Sequence, residues 1–316
     1  MNKWKKAGLA VTASAAVIST AHIINQMIFS SSVIKNLTNK ETRSTYKWKF
    51  GNISYTISGE GSPILLIHDL KSSCSLCEWD IIKSLGRNHT VYAIDLLGCG
   101  HSDKPNITYT TYMYTQMIQD FVINVIHKKT DIIAQGDSAP MAIMTVYSNP
   151  YIFNKLILVS PQDIKSALKT PDKMCEIRRY LLNSPVLGTL IYNICMSRQK
   201  LNSGFVLKYF NNKNSISQNL IDTYSENAHL GGSNAKYLFT STECHYTTVS
   251  ISKAVSKIDN SIYIINGSCD TTAIESAKLY KSLNPAIESV TIENAKHYPQ
   301  IDQPLKFIKN IDIFLS

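Results

Sequence analysis

The chain has 316 residues and a formal net charge of +9, with 44% hydrophobic and 17% charged residues. That balance excludes a disordered chain and leaves room for one large domain with an insertion, or two small ones. Basic residues are scattered apart from Lys3, Lys5 and Lys6, and no basic face with aromatic platforms is legible, which argues against nucleic acid as a partner.

The first segment is an uncharged stretch from Ala7 to about Val33 behind those lysines. A signal anchor running to Phe29 would just span a bilayer. A cleaved signal peptide would use Ser19-Thr20-Ala21 as its small-residue site. An amphipathic helix lying on the protein or a membrane is the third reading. The first two place the lysines on the cytoplasmic side, so the expected location is membrane-anchored or secreted, with the main domain extracytoplasmic.

From Lys47 to Ile57, two near-alternating runs flank Gly51-Asn52 and predict a β-hairpin. The run Ile64-Leu65-Leu66-Ile67 is continuously apolar, as a strand buried on both faces of a parallel sheet must be. Thr90 to Ile94, Thr130 to Gln135, Lys155 to Val159, Ser261 to Ile265 and Ser289 to Ile292 read as further strands. Tyr112 to His127, Met141 to Tyr147 and Pro304 to Leu315 read as helices. Strands alternating with helices predict an α/β fold with a mostly parallel central sheet and helices on both faces. Residues 162–242 break the rhythm with helical patterns and no clear strand. They read as an inserted helical cap between core segments 41–161 and 243–316, with 1–40 as the N-terminal segment.

Three residue types suited to nucleophilic catalysis sit at or just past strand ends, in the order Ser138, Asp270, His297. A serine hydroxyl needs a base to take its proton, and an acid can fix the histidine tautomer and stabilise the imidazolium. Each has an ordinary alternative: Ser138 as a helix N-cap, Asp270 as a turn residue, His297 as a surface or core histidine. Asp163, just past another strand, is a competing acid. The seven cysteines show no framework spacing. Cys74 and Cys77 form a lone C-x-x-C without the second pair that zinc would need. No metal and no organic cofactor is expected.

From about Lys47 onward the chain resembles the capped α/β-hydrolases, the branch that includes serine esterases, carbon–carbon bond hydrolases, epoxide hydrolases and haloalkane dehalogenases. Five stretches carry the resemblance: Ile64 to Asp69; Asp95-Leu96-Leu97-Gly98-Cys99-Gly100-His101-Ser102-Asp103-Lys104-Pro105, the most specific; Gly136-Asp137-Ser138; Gly267-Ser268-Cys269-Asp270; and His297 with Pro299, Asp302 and Pro304. The resemblance implies a Ser138–His297–Asp270 triad. It also implies an oxyanion hole of the Leu70 and Ala139 backbone N–H groups. The expected function is therefore a serine hydrolase cleaving a carboxylic ester or other acyl compound through an acyl-enzyme, its partner a small ester or acyl molecule. A non-catalytic binding protein with a degraded oxyanion hole is the alternative, and carbon–carbon cleavage by the same triad is a third reading.

The chain departs from the family pattern at three glycines, replaced by Asp69, Pro140 and Lys296. Asp69 places a negative charge where another would develop. Pro140 restrains Ala139, the expected oxyanion donor. Moving the nucleophile to Asp137 would put Gln135 where a small residue is needed.

Overall fold

In the computed structural model, residues 3–38, 42–70, 74–79 and 81–316 are described. The expected junction at residues 40 and 41 lies outside them. Eight strands form one sheet in the order β1-β2-β4-β3-β5-β6-β7-β8. They run Ser44–Trp48 (β1), Gly51–Ser58 (β2), Ser62–Ile67 (β3), His89–Ile94 (β4), Thr130–Gln135 (β5), Phe153–Val159 (β6), Ile262–Gly267 (β7) and Glu288–Ile292 (β8). The first hairpin pairs antiparallel and joins β4 antiparallel. From β4 onward every neighbour is parallel.

Burial explains the strand sequences. All six residues of β5 are buried, and so are Pro63 to Ile67 of β3, because helices cover both faces. Phe121, Ile143 and Val146 pack with Leu65 and Ile132 on one face. Phe307 and Ile311 pack with Leu66 and Ile133 on the other. The parallel strands end together on one edge, where loops carrying Asp69, Gly136 and Asp270 emerge.

Between β6 and β7, the described chain is helical without strands, with helices Lys173–Asn183, Leu187–Cys195, Arg198–Gly204, Gln218–His229 and Lys236–Glu243. They roof the carboxyl edge of the sheet. The N-terminal helix, Lys3–Ser32, lies against this roof. Asn25 is buried, donates to the Val186 carbonyl at 3.2 Å and accepts from Asn193 at 2.9 Å. Phe29 packs edge-on against His229, beside Tyr192.

Further on, Glu226 lies buried in the roof and accepts from Leu37 N, Thr38 N and Thr38 Oγ1 at 2.9, 3.0 and 2.9 Å. No helix among the described residues is long and apolar enough to cross a membrane. The expected anchor is therefore not supported: His22, Asn25, Gln26 and the small hydroxyl residues dilute its apolar length. Asn25 and Phe29 instead serve a helix lying on the protein.

Candidate active site

The site forms where three loops meet at the carboxyl edge of the sheet. After β7, Asp270 caps the helix Thr271–Leu283, its Oδ1 accepting from Ala273 N at 3.0 Å. Its other oxygen, Oδ2, lies 3.4 Å from His297 Nδ1. The turn role and the acid role are thus compatible in one carboxylate. His297 follows β8, and its backbone is held at both ends. His297 N donates to the Tyr209 carbonyl at 3.1 Å, and Gln135 Nε2 donates to the His297 carbonyl at 2.9 Å.

Burial alone would lower the pKa of His297, but hydrogen bonding and charge from Asp270 and Asp69 outweigh it and raise the value to about 9. Burial likewise works to raise Asp270, yet its bonds to His297 and to Ala273 N leave its pKa below the ordinary value.

These shifts carry a stability prediction. A histidine whose pKa rises from 6.5 to about 9 on folding contributes stability that is full below pH 6.5 and lost as pH climbs through 9. Asp270, with its pKa lowered, contributes above its unfolded value and fades in acid. Urea midpoints should therefore decline between pH 6.5 and 9 in the native protein. The decline should be shallower in Asp270→Asn, which weakens the hold on the proton. A flat profile over that interval in the native protein would contradict a charged His297.

Ser138 stands apart from this pair. It is buried, with right-handed helical angles (φ −83°, ψ −13°) at the start of the helix Ala139–Ser148. Its hydroxyl donates to the His68 carbonyl. Among the described residues no hydrogen bond joins Ser138 to His297. Ala139 N donates back to the Gly136 carbonyl, which closes the turn and takes that N–H away from any substrate. Asp163 caps its own short helix through Ser166 N at 3.0 Å. It lines the same cleft as Asp270 and His297.

The left-handed residue of the strand–helix turn is Gly136, at φ +54°, directly after β5. A side chain there would project into the site from the apex of the turn, as a nucleophile on this sharp bend must. The space is filled instead by Asp69, since a Cβ at Gly136 would lie 3.0 Å from the Asp69 carboxyl carbon. Asp69 Oδ1 accepts from Leu70 N at 2.8 Å and from Asp137 N at 3.0 Å. Asp69 Oδ2 lies 3.9 Å from His297 Nε2, an ion-pair distance, and 3.4 Å from Tyr298 Oη. The two backbone donors that converge are Leu70 and Asp137, where the sequence had suggested Leu70 and Ala139.

His68 organises this loop. Its Nδ1 bonds the Asp69 carbonyl at 2.6 Å and its Nε2 accepts from Leu96 N at 2.9 Å, which fixes a neutral tautomer. Burial lowers its pKa, against the pull of Asp95 and Asp69. Asp69 N donates to buried Glu78 at 2.8 Å.

Two spaces are lined by residues that contact Asp69. A cavity of about 230 Å³ under the roof is lined by Leu70, Tyr298, Tyr192, Phe205 and Leu238 among others. A cleft of about 660 Å³ is lined by Asp137, Asp163, Asp270 and His297. Tyr209, beside the His297 ring, borders both. Among the described residues no cluster of three or more His, Cys, Asp or Glu could hold a metal ion.

In the sequence Asp69 stands out only as a departure from the family pattern. Read together with the glycine directly after β5, it would have pointed to a side chain moved from one loop to another.

The eight-stranded, mostly parallel sheet, the roof after β6 and the convergence of these loops define the α/β-hydrolase fold. A serine hydrolase involved in carbazole degradation has a similar structure, with a TM-score of 0.69 and 17% identity, covering 87% of this chain and 98% of that one. No protein-family profile matches the chain. In sequence it is similar to an uncharacterized protein of Mycobacterium tuberculosis, 32% identical over 108 residues, or 34% of this chain. That match spans only 31% of the relative's length. A soluble epoxide hydrolase of a Corynebacterium species is 24% identical over 267 residues, covering 80% of this chain and 92% of its own.

Proposed function

We propose that the protein is a hydrolase in which His297 handles the proton and Asp270 fixes its orientation, acting on a small, largely apolar molecule beneath the helical roof. The observation that carries this reading is the His297 Nδ1–Asp270 Oδ2 contact at 3.4 Å, with Nε2 3.9 Å from the Asp69 carboxylate that two backbone N–H groups hold. A contact somewhat long for a hydrogen bond is common before substrate binds. The hydrolase names borne by similar proteins support the reaction class. The finer expectation of an acyl-enzyme on Ser138 draws support from the Gly136-Asp137-Ser138 motif but none from the placement of its hydroxyl. The roof's Tyr192, Phe205 and Leu238 support an apolar substrate.

A second reading, a binding protein without turnover, is favoured by one observation: the Asp69 carboxylate already fills the two-donor pocket. One experiment separates them. The full chain and His297→Ala are assayed on p-nitrophenyl esters and on aliphatic and aryl epoxides. Turnover should fall about 10²–10⁴-fold in the variant, the usual worth of a positioned acid–base group. Folded native protein that turns over none of these compounds would give the binding reading precedence.

A further inference from the structure

Asp69 lies where the loops after β3, β5 and β8 meet. Its two oxygens have different surroundings. Oδ1 is fixed by two backbone N–H groups from separate loops, Leu70 at 2.8 Å and Asp137 at 3.0 Å. Oδ2 faces His297 Nε2 at 3.9 Å and Tyr298 Oη at 3.4 Å. The carboxylate occupies the volume above Gly136 that an apex side chain would claim. Leu70 and Tyr298 line the cavity under the roof, while Asp137 and His297 line the neighbouring cleft; Asp69, itself buried, touches residues of both.

We propose that Asp69 is the nucleophile of this site, supplied from the loop after β3 instead of the turn after β5, and that its substrate is an electrophile at saturated carbon, an epoxide. The inference rests on the hydrolase reading of His297 and Asp270 given above.

The substrate class follows from carboxylate chemistry. A carboxylate attacking a carboxylic ester must form an anhydride by expelling an alkoxide, a far more basic leaving group than itself, so the adduct reverts. Attack at saturated carbon instead gives an ordinary ester, which persists until water cleaves it.

The steps balance. Asp69 Oδ2 bonds to a ring carbon, the ring carbon–oxygen bond breaks, and the ring oxygen takes the electron pair and the proton carried by His297. Neutral His297 then removes a proton from water, and the hydroxide adds to Asp69 Cγ. Negative charge collects on Oδ1, where the Leu70 and Asp137 N–H groups already point. Collapse breaks the Cγ–Oδ2 bond, the departing alkoxide takes the proton back from His297, and the new carboxyl group returns a proton to His297. One epoxide and one water become one diol, and one oxygen of Asp69 is replaced by oxygen from water.

That replacement is the test. The full chain is turned over with styrene oxide and 1,2-epoxyhexane in heavy-oxygen water, and its peptides are weighed. The peptide containing Asp69 should gain heavy oxygen after repeated turnover. His297→Gln should accumulate an adduct of one epoxide on Asp69, and Asp69→Asn should lose turnover to background. Ser138→Ala, if folded by circular dichroism, should keep turnover. Heavy oxygen in the diol but never in Asp69, or an adduct on another residue, would overturn the proposal. So would folded native protein that neither turns over nor is labelled by either epoxide. A parallel assay on p-nitrophenyl acetate separates the two readings. Ester turnover that depends on His297, without epoxide chemistry, sinks Asp69 as nucleophile and leaves the hydrolase reading standing. Failure of both substrates sinks both.

Discussion

A protein carrying both Asp69→Gly and Gly136→Ser should hydrolyse p-nitrophenyl acetate and react with a fluorophosphonate, while neither single variant does. Gly136→Ser alone puts a Cβ 3.0 Å from the Asp69 carboxyl carbon and a non-glycine residue at φ +54°. The backbone strain costs about 1–2 kcal/mol, and the clash adds to it. Asp69→Gly alone frees the Leu70 and Asp137 N–H groups but leaves no side chain to attack. Together they place a hydroxyl at the turn apex, facing His297, beside two unoccupied donors. Each such donor is worth about 10²–10³-fold in rate, so the pair of substitutions should be strongly non-additive. Equal activity in Gly136→Ser alone would mean that Asp69 does not obstruct the pocket. A folded but inert double variant would mean that the bend at Gly136 does not aim a side chain at His297.

Much of this architecture was legible in the chain. The apolar runs from Ile64 to Ile67 and from Ile132 to Ala134, short and bounded by turn residues, read as strands covered on both faces, and they set the sheet. Asp270 and His297 were legible because each follows a strand, and the structure places them 3.4 Å apart. The arrangement around Gly136 was not. Which residue of Gln135-Gly136-Asp137-Ser138 takes the left-handed bend decides which side chain faces the histidine, and local pattern does not encode it. The contact between Asp69 and Gly136 joins distant parts of the chain, so no periodicity reports it. The N-terminal helix is ambiguous in sequence for a related reason. Its apolar residues look like a membrane segment until Asn25 and Phe29 are seen against the roof.

The largest stability effect should come from Arg43→Ala, about 3–5 kcal/mol, the usual cost of leaving one partner of a buried ion pair uncompensated. Arg43 Nη1 lies 2.8 Å from Asp95 Oδ2, and the Asp95 side chain is fully buried. Burial alone would raise the pKa of Asp95, but Arg43, His68 and the donors from His101 and Ser75 hold it below its ordinary value. Ser75 N and Oγ and His101 N still reach Asp95 in the variant, at 2.9, 2.7 and 3.0 Å, but they supply dipoles in place of a charge. The carboxylate then gains by taking up a proton, so the loss should be smaller in acid than at neutral pH. Urea unfolding at pH 7 and pH 4.5 would measure both. A loss below about 1 kcal/mol at neutral pH would show that the pair behaves as a surface salt bridge.

The grip of Leu37 and Thr38 on Glu226 bears on how a molecule reaches the site. A roof joined to the sheet only where its chain leaves β6 and returns to β7 is hinged along one edge and can lift like a flap. Here Leu37 and Thr38 hold it away from that edge through Glu226, and the bonds from His297 N to the Tyr209 carbonyl and from Asn211 N to Asp302 hold it at further points, which resists such lifting. Tyr209, on the seam between roof and sheet, borders both spaces, which makes the doorway, as much as the chamber, a filter on what is admitted.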